Sequence, residues 1–250
     1  MFGLTNKTAI ITGVSRGLGK GMAEGLCSAG AKVVILATSE QIYQVEKQLR
    51  EKGYDATAMQ CNLADTVSLE TTFAKAVEVL GGKLDILINN AGIQRRNRCE
   101  EFTMEDWNDV IQVNLTSLFQ MCQQAGREML KNGSGKIINI ASMLSFFGGF
   151  TVPAYAAAKG GVAQLTKALS NQWASKGICV NAIAPGYMAT EINTKLIQDE
   201  KRNAEILGGI PMGRWGNESD MQGIAVFFAS SAADYISGAV IPVDGGYLGR

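Results

Sequence analysis

Apolar residues lie along this chain in short runs that alternate with longer segments whose apolar positions recur at helical spacing. The short runs predict seven buried strands, at Thr8 to Thr12, Lys32 to Ala37, Ala56 to Cys61, Leu84 to Ile88, Ile137 to Ala141, Ile178 to Ala184 and Ala239 to Val243. The segments between them predict helices, which include Ile42 to Lys52, Ser68 to Leu80, Met104 to Lys131, Tyr187 to Leu207 and Asp220 to Ser230. Because strand and helix alternate, we expect a single α/β domain whose parallel sheet is covered on both faces.

The composition narrows the class of function. Lys and Arg number 23 and so do Asp and Glu, so no basic field favours nucleic acid or an anionic membrane. The chain has no histidine, which excludes Ser-His-Asp hydrolysis and histidine-ligated metals, and its five scattered cysteines suggest neither a zinc site nor a disulfide framework. We therefore expect no metal. With no signal-like amino terminus and no apolar stretch of about 18 residues, we expect a cytoplasmic protein.

A glycine-rich turn follows the first strand and precedes a helix that runs to Ala29. Its sequence is Thr12-Gly13-x-x-x-Gly17-x-Gly19. Glycines permit a tight turn and close approach of the backbone, and the N–H groups that open the next helix form a site for a pyrophosphate. The pattern therefore predicts a dinucleotide site.

The end of the second strand bears on the choice between NAD and NADP. An acidic residue there binds the adenosine ribose hydroxyls, whereas a basic residue accommodates a 2′-phosphate. The residues here are Ala37, Thr38 and Ser39, so neither signal is present. Arg16 in the glycine turn is a single cation on an exposed loop. Because Thr38 offers no cation to a 2′-phosphate, we expect NAD, with NADP as the alternative.

Three side chains are spaced for proton transfer. Pro153 favours a helix start, so Tyr155 and Lys159, four residues apart, share one helical face. An ammonium near the phenol would lower the phenol pKa and make Tyr155 an acid or base. Ser142 ends the fifth strand, where open α/β sheets bind ligands, and its hydroxyl can donate to a substrate carbonyl. The pair alone also fits an exposed Tyr and Lys, so this prediction depends on the other motifs.

Two adjacent arginines follow the fourth strand, in Gln94-Arg95-Arg96. A guanidinium binds a carboxylate through two parallel hydrogen bonds, which suggests an anionic substrate. A solvated pair or a subunit salt bridge is the alternative. We expect Arg95, the nearer to Gly92, to bind the carboxylate.

Two further features concern the surroundings of this site. Asn114 lies among apolar residues of a predicted helix and needs partners, and a water that supports Lys159 would be one of them. The segment from 187 to 215 has uneven patterning and contains Gly208, Gly209 and Pro211, so we expect a substrate lid there.

Taken in order, these motifs resemble those of the classical short-chain dehydrogenase/reductase family over nearly the whole chain. The residues are Thr12-Gly13-x-x-x-Gly17-x-Gly19, Asn89-Asn90-Ala91-Gly92, Asn114, Ser142, Tyr155-x-x-x-Lys159 and Pro185-Gly186. The resemblance implies a Rossmann-type sheet in the order 3-2-1-4-5-6-7, hydride transfer between nicotinamide and a carbon that bears oxygen, and a homotetramer. It makes Tyr155 the acid or base, Ser142 the partner of the reacting oxygen, Lys159 the ribose ligand and Asn114 the holder of a relay water.

A narrower resemblance, to the sugar-acid dehydrogenases of that family, comes from Gly92-Ile93-Gln94-Arg95-Arg96, Val152-Pro153-Ala154-Tyr155, Ala184-Pro185-Gly186-Tyr187 and Ile210-Pro211-Met212-Gly213-Arg214-Trp215-Gly216. It implies 2-deoxy-D-gluconate or 2-dehydro-3-deoxy-D-gluconate as substrate, with oxidation of gluconate at carbon 5 or reduction of a carrier-bound 3-oxoacyl group as alternatives. A nucleotide-binding redox sensor is a further alternative, which only the glycine turn fits.

The resemblance also implies the contact residues. Substrate contacts are expected at Gln94, Arg95, Ser142, Tyr155 and Tyr187. Cofactor contacts are expected at Gly13, Ser15, Arg16, Gly17, Leu18, Gly19, Thr38, Asn62, Leu63, Asn90, Ala91, Gly92, Tyr155, Lys159, Pro185, Gly186 and Thr190. Asn62 stands where the family usually has Asp.

Overall fold

Seven parallel strands form one sheet in the computed structural model, which describes residues 1–191 and 193–250 in full and residue 192 by its backbone alone. The strands are β1 (Thr8–Thr12), β2 (Lys32–Ala37), β3 (Ala56–Gln60), β4 (Ile86–Asn89), β5 (Gly135–Ile140), β6 (Ile178–Pro185) and β7 (Val240–Val243). Their order is β3-β2-β1-β4-β5-β6-β7. The predicted α/β fold and its strand order are confirmed.

Helices cover the sheet on both faces. They are α1 (Gly17–Ser28), α2 (Ile42–Glu51), α3 (Thr66–Val79), α4 (Met104–Ile111), α5 (Ser117–Asn132), α6 (Pro153–Trp173), α7 (Thr194–Gln198), α8 (Glu200–Gly208) and α9 (Gln222–Ala229). Helices α1, α2 and α9 pack on one face, and α3, α5 and α6 pack on the other. No helix in the described part of the chain is long and apolar enough to cross a membrane.

The alternation of side chains along a strand explains the continuous apolar runs in the sequence. In β2, Val33 and Ile35 belong to the core beneath α1 and α2, whereas Val34 and Leu36 belong to the core beneath α3 and α5. Successive side chains of a strand point to opposite faces, so a strand buried on both faces is apolar at every position.

The single helix predicted from Met104 to Lys131 is interrupted. A π-helical turn, Gln112–Thr116, lies between α4 and α5, and the N–H of Ser117 donates to the carbonyl oxygen of Gln112 across it. Val110 of α4 packs against Ala154 and Ala158 of α6, whereas α5 packs on the sheet. The π-helical turn joins these two packing directions and buries Asn114.

The prediction of a single helix from Tyr187 to Leu207 is wrong. The backbone forms a 3-10 turn at Glu191–Asn193, then α7, then α8. Asp199 separates the two helices, because its extended backbone ends α7 and its carboxylate accepts a hydrogen bond of 3.0 Å from the N–H of Arg202 in α8. A carboxylate in this position caps a new helix and prevents one continuous helix.

Candidate active site

A cleft of about 1380 Å³ lies at the carboxyl ends of the strands. All of the residues predicted to contact the cofactor line it, and so do Gln94, Ser142, Tyr155 and Tyr187 from the predicted substrate contacts. Arg95 and Asn114 do not line it. Tyr187, Thr190, Arg202 and Ile206 also line it, so the predicted lid segment borders the cleft.

The glycine turn is shaped for close approach to a ligand. Gly13 has a φ of +72°, and a Cβ atom there would lie 2.7 Å from the Cα atom of Ala91. A Cβ atom on Gly19 would overlap the carbonyl oxygen of Gly13. The Gly17 backbone has a φ of +58°, which L-residues rarely adopt, and it opens α1. This cradle at a helix N-terminus fits the pyrophosphate of a dinucleotide.

The end of β4 fixes the glycine turn in place. The amide nitrogen of the Asn90 side chain donates to the carbonyl oxygens of Thr12 and Gly13, both at 3.0 Å. The hydroxyl oxygen of Thr12 in turn accepts hydrogen bonds from the N–H groups of Asn90 and Ala91. Asn90 therefore holds two loops of the cleft together.

The cleft end formed by β2 and β3 is polar but nearly uncharged. The Thr38 hydroxyl donates to the carbonyl oxygen of Cys61, and the Asn62 side chain accepts a hydrogen bond from the N–H of Ala64 and so caps a turn. Arg16 forms an ion pair of 2.7 Å with Glu191, across the cleft mouth.

Lys159 is buried beside Tyr155. Its ammonium donates a hydrogen bond of 2.6 Å to the carbonyl oxygen of Ile140, at the end of β5, and lies 5.6 Å from the centroid of the Tyr155 ring. Burial lowers the pKa of Lys159 to about 8, because the charged form loses hydration. The predicted sharing of one pocket by these two side chains is therefore seen in the structure.

The predicted direction of the Tyr155 pKa is wrong for this structure. Burial raises the pKa of the phenol, and the Ser142 hydroxyl and the Arg96 charge offset only part of that effect. The Lys159 ammonium lies 5.6 Å from the centroid of the ring and donates its hydrogen bond to the Ile140 carbonyl oxygen. This arrangement therefore favours the neutral phenol.

A short turn after β5 positions Ser142. Its hydroxyl oxygen accepts a hydrogen bond of 3.1 Å from the N–H of Leu144, and the Ser145 hydroxyl donates one of 2.6 Å to the carbonyl oxygen of Lys159 in α6. The turn that carries Ser142 is thus tied to the helix that carries Tyr155 and Lys159. This contact brings the three predicted groups to one wall of the cleft.

Asn114 has backbone partners. Its side-chain oxygen accepts a hydrogen bond of 2.8 Å from the N–H of Ile93, and its side-chain nitrogen donates one of 2.9 Å to the Ile93 carbonyl oxygen. Each end of the amide thus has a backbone partner. It fixes the backbone just after Gly92, at the end of β4.

The two arginines point in different directions, and Arg95, which we expected to bind the substrate carboxylate, does not line the cleft. The Arg95 side chain lies against the surface of α4, where its guanidinium pairs with Asp106 at 3.2 Å and with Asp109 at 3.5 Å. Arg96 lines the cleft and donates a hydrogen bond of 3.1 Å to the side-chain oxygen of Gln94. Among the described residues no carboxylate pairs with Arg96. Arg96 therefore differs from the two other arginines that line the cleft, because Arg16 pairs with Glu191 and Arg202 pairs with Glu205.

An aromatic wall was not foreseen from the sequence. Tyr247 lines the cleft beside Tyr187, with ring centroids 5.3 Å apart and an interplanar angle of 71°. Trp215 packs edge-on against Tyr187 at 5.5 Å, and Phe147 lies 6.1 Å from Tyr247. Tyr247 follows β7, and the carboxyl ends of parallel strands share one edge of the sheet, so its position could have indicated the cleft.

Comparison with known proteins agrees with this geometry. The family model for short chain dehydrogenases matches residues 7–201. The 2-dehydro-3-deoxy-D-gluconate 5-dehydrogenase of Bacillus subtilis (strain 168) is 48% identical over 250 residues, which cover 100% of this chain and 97% of that protein. Among solved structures, one ascribed to a 2-deoxy-D-gluconate 3-dehydrogenase of Agrobacterium tumefaciens with bound NADP has a TM-score of 0.94 and 47% identity, covering 100% of this chain and 99% of that one. A gluconate 5-dehydrogenase of Burkholderia cenocepacia J2315 in complex with NADP and tartrate has a TM-score of 0.95 and 38% identity, covering 100% and 98%. The chain therefore belongs to the short-chain dehydrogenase family and is an NAD(P)-dependent oxidoreductase that acts on CH–OH groups.

Proposed function

We propose that the chain interconverts a secondary hydroxyl and a ketone on a hexonate-type sugar acid, either 2-deoxy-D-gluconate or 2-dehydro-3-deoxy-D-gluconate. The observation that carries this proposal is the convergence of Ser142, Tyr155 and Lys159 in a cleft that also exposes the Arg96 guanidinium. The names of the relatives support the same substrate class.

The glycine cradle would hold the cofactor pyrophosphate, and the residues around Lys159 and Pro185 would hold its nicotinamide half. When bound, the nicotinamide accepts or returns a hydride. The Ser142 hydroxyl would fix the reacting oxygen, and Tyr155 would exchange a proton with it. Because burial raises the pKa of Tyr155, its phenol is ready to donate that proton when a ketone is reduced. Oxidation of the hydroxyl, in which Tyr155 accepts the proton, is favoured as pH rises.

Arg96 would bind the substrate carboxylate. It lines the same cleft as Tyr155 and Tyr187. Gln94 orients it through the hydrogen bond described above. A hydroxy diacid, tartrate, accompanies NADP in the gluconate 5-dehydrogenase relative. These observations support an acidic substrate.

NAD is the proposed cofactor, although solved structures of relatives hold NADP. At the adenosine end of the cleft, the cation among the described lining residues is Arg16, and Glu191 already pairs with it. A 2′-phosphate would have to compete with that carboxylate. The comparison of kcat/KM with NAD and with NADP tests this choice. A higher value with NADP would reject it, and loss of that advantage in Arg16→Ala would identify the cause.

A homotetramer with a mobile lid at 187–215 completes the proposal. Ala157 and Gly160 leave a flat, open strip on α6, and Phe119 and Leu130 lie exposed on α5. Close helix packing between subunits would use such surfaces. Light scattering on the purified protein tests the assembly, and a monomer would reject it.

The test of the proposed function is a panel of 2-deoxy-D-gluconate, 2-dehydro-3-deoxy-D-gluconate, gluconate and a 3-oxoacyl thioester, assayed with wild type and Tyr155→Phe. We expect turnover of a sugar acid by wild type. The Tyr155→Phe variant should lose turnover and retain cofactor affinity, because only the proton-transfer group is removed. Activity on the thioester alone would favour the carrier-bound acyl substrate, and undiminished turnover by Tyr155→Phe would reject the role of the phenol.

A further inference from the structure

We infer that Tyr247 is a specificity-determining residue, whose phenol, together with that of Tyr187, binds substrate hydroxyl groups that the reaction leaves unchanged. This inference rests on the proposed sugar-acid function and extends it to a residue outside every motif of the sequence. It is carried by the place of Tyr247 in the cleft and by the contacts that hold its ring.

The turn that presents Tyr247 is firmly built. The Asp244 carboxylate accepts hydrogen bonds of 2.9 Å from the N–H groups of Gly246 and Leu248. Gly245 has a φ of +66°, and its carbonyl oxygen accepts a hydrogen bond of 3.0 Å from the N–H of Met212. The turn is therefore fixed both internally and against the segment that borders the cleft.

The ring of Tyr247 is held from several sides. Tyr187 packs against it in a T-shaped arrangement at 5.3 Å, and Phe147 approaches it at 6.1 Å. The guanidinium carbon of Arg250 lies 4.6 Å from the ring centroid, within the range of a cation–π contact. A ring held in this way presents its hydroxyl with little loss of conformational entropy on binding.

The chemistry of this pair suits a polyol. A phenol both donates and accepts a hydrogen bond, as an alcohol does, so two neighbouring phenols can match vicinal hydroxyl groups. Burial, followed by the neighbouring Tyr247 phenol, raises the pKa of Tyr187, which keeps Tyr187 a neutral donor. A site built to hydrogen-bond a hydroxyl discriminates strongly against substrates that lack it. Arg96 would bind the substrate carboxylate, and the two phenols would form hydrogen bonds with hydroxyl groups along the carbon chain of the substrate.

The experiment compares wild type and Tyr247→Phe on two substrates. One is the best sugar acid of the panel, and the other is 5-oxohexanoate, which has a carboxylate and a ketone but no hydroxyl groups. We expect kcat/KM for the sugar acid to fall about 3- to 10-fold, mainly through KM, because one net hydrogen bond is lost. For 5-oxohexanoate we expect kcat/KM to change by less than about 2-fold, because this substrate has no hydroxyl group that could bind the Tyr247 phenol.

The controls separate a binding role from a structural one. Tyr235→Phe, at a fully exposed tyrosine, should leave both substrates unaffected. The melting temperature and the NAD affinity of Tyr247→Phe should match those of wild type, because the ring contacts remain. Equal losses on both substrates, or an unchanged kcat/KM for the sugar acid, would overturn the inference.

The proposed function and this inference can fail separately. If wild type turns over no sugar acid, the proposed function is wrong. The role of Tyr247 is then decided by the same comparison, made on the hydroxylated substrate that is turned over and on its deoxygenated analogue. A selective loss on the hydroxylated substrate supports the inference, and its absence rejects it.

Discussion

Replacing Arg96 with alanine should lower kcat/KM for a sugar acid by about one order of magnitude, whereas replacing the adjacent Arg95 should change it little. The two residues have the same side chain and adjacent positions, and they differ in their surroundings. Arg95 is held by Asp106 and Asp109 on α4, and Arg96 faces the cleft without a carboxylate partner among the described residues. They therefore form a matched pair of variants.

The magnitude follows from the position of Arg96. Opposite unit charges about 4 Å apart interact by about 1 kcal/mol in water and by about 4 kcal/mol at the effective dielectric constant of a protein surface. Arg96 is exposed at the rim of the cleft, so we take about 1–2 kcal/mol, which corresponds to about 5- to 30-fold in kcat/KM. Loss of Arg95 removes surface ion pairs, each worth about 0–1 kcal/mol of folding stability, and no substrate contact.

The assay measures kcat/KM for the sugar acid and for a neutral ketose, at ionic strengths of about 0.05 M and about 0.5 M. Salt should reduce the advantage of wild type over Arg96→Ala on the acid, because it screens an exposed charge pair. The neutral substrate should show no such advantage. A loss in Arg95→Ala as large as that in Arg96→Ala, or an equal loss on acid and neutral substrates, would refute the reasoning.

Three further predictions concern the cradle and two buried charges. Gly19→Ala should weaken cofactor binding at least about 10-fold, since its Cβ atom would overlap a backbone oxygen, whereas Gly223→Ala on the exposed side of α9, whose Cβ atom would meet no atom within 4 Å, should bind normally in a fluorescence titration. Asp85→Asn should lower the melting temperature at neutral pH. Burial alone would raise the pKa of Asp85, but hydrogen bonds to Lys83 and Thr8 outweigh it and lower that pKa, so the difference from wild type should shrink as pH falls below about 4. Lys159→Met should abolish turnover yet melt no lower than the unliganded wild type at pH 7. Burial has lowered the pKa of Lys159 to about 8, so wild type gains stability from this group only as pH rises from about 8 toward about 10.4.

Each of these predictions has an outcome that contradicts it. Equal cofactor affinities in the two glycine variants would show that the cradle tolerates a methyl group. A difference between Asp85→Asn and wild type that stays constant down to about pH 2 would place its origin outside the charge. A clear fall in melting temperature for Lys159→Met would mean that the hydrogen bond to Ile140 outweighs the burial of the charge.

The sheet was predictable from the sequence because parallel strands buried on both faces have few places for polar residues. The β2 run from Lys32 to Ala37 has the same bounds in the sequence prediction and in the structure. The helices were harder to delimit. The π-helical turn at Gln112–Thr116 leaves apolar residues on both sides of Asn114, so spacing alone does not reveal a change of hydrogen-bonding pattern.

The positions of the site residues were predictable where a helix or strand fixes the direction of the side chains, and unpredictable where a loop fixes it. Tyr155 and Lys159 share a helical face, and their meeting follows from helix geometry. Arg95 and Arg96 lie in a loop, where only the backbone torsions decide which side chain faces the cleft. The raised pKa of Tyr155 depends on burial, which no local pattern of residues reveals.

The π-helical turn sets how far α5 is rotated about the helix axis relative to α4. An α-helix rotates by about 100° per residue, so one residue more or fewer between α4 and α5 would swing one apolar face away from its partner. Val110 packs against α6, and Leu118 and Met121 pack on the sheet, so both faces cannot stay buried after such a change. A single-residue deletion within 112–116 would produce a more regular helix and a less stable protein. The length of this segment should therefore tolerate little change, the reverse of what is expected for the loops at the cleft rim.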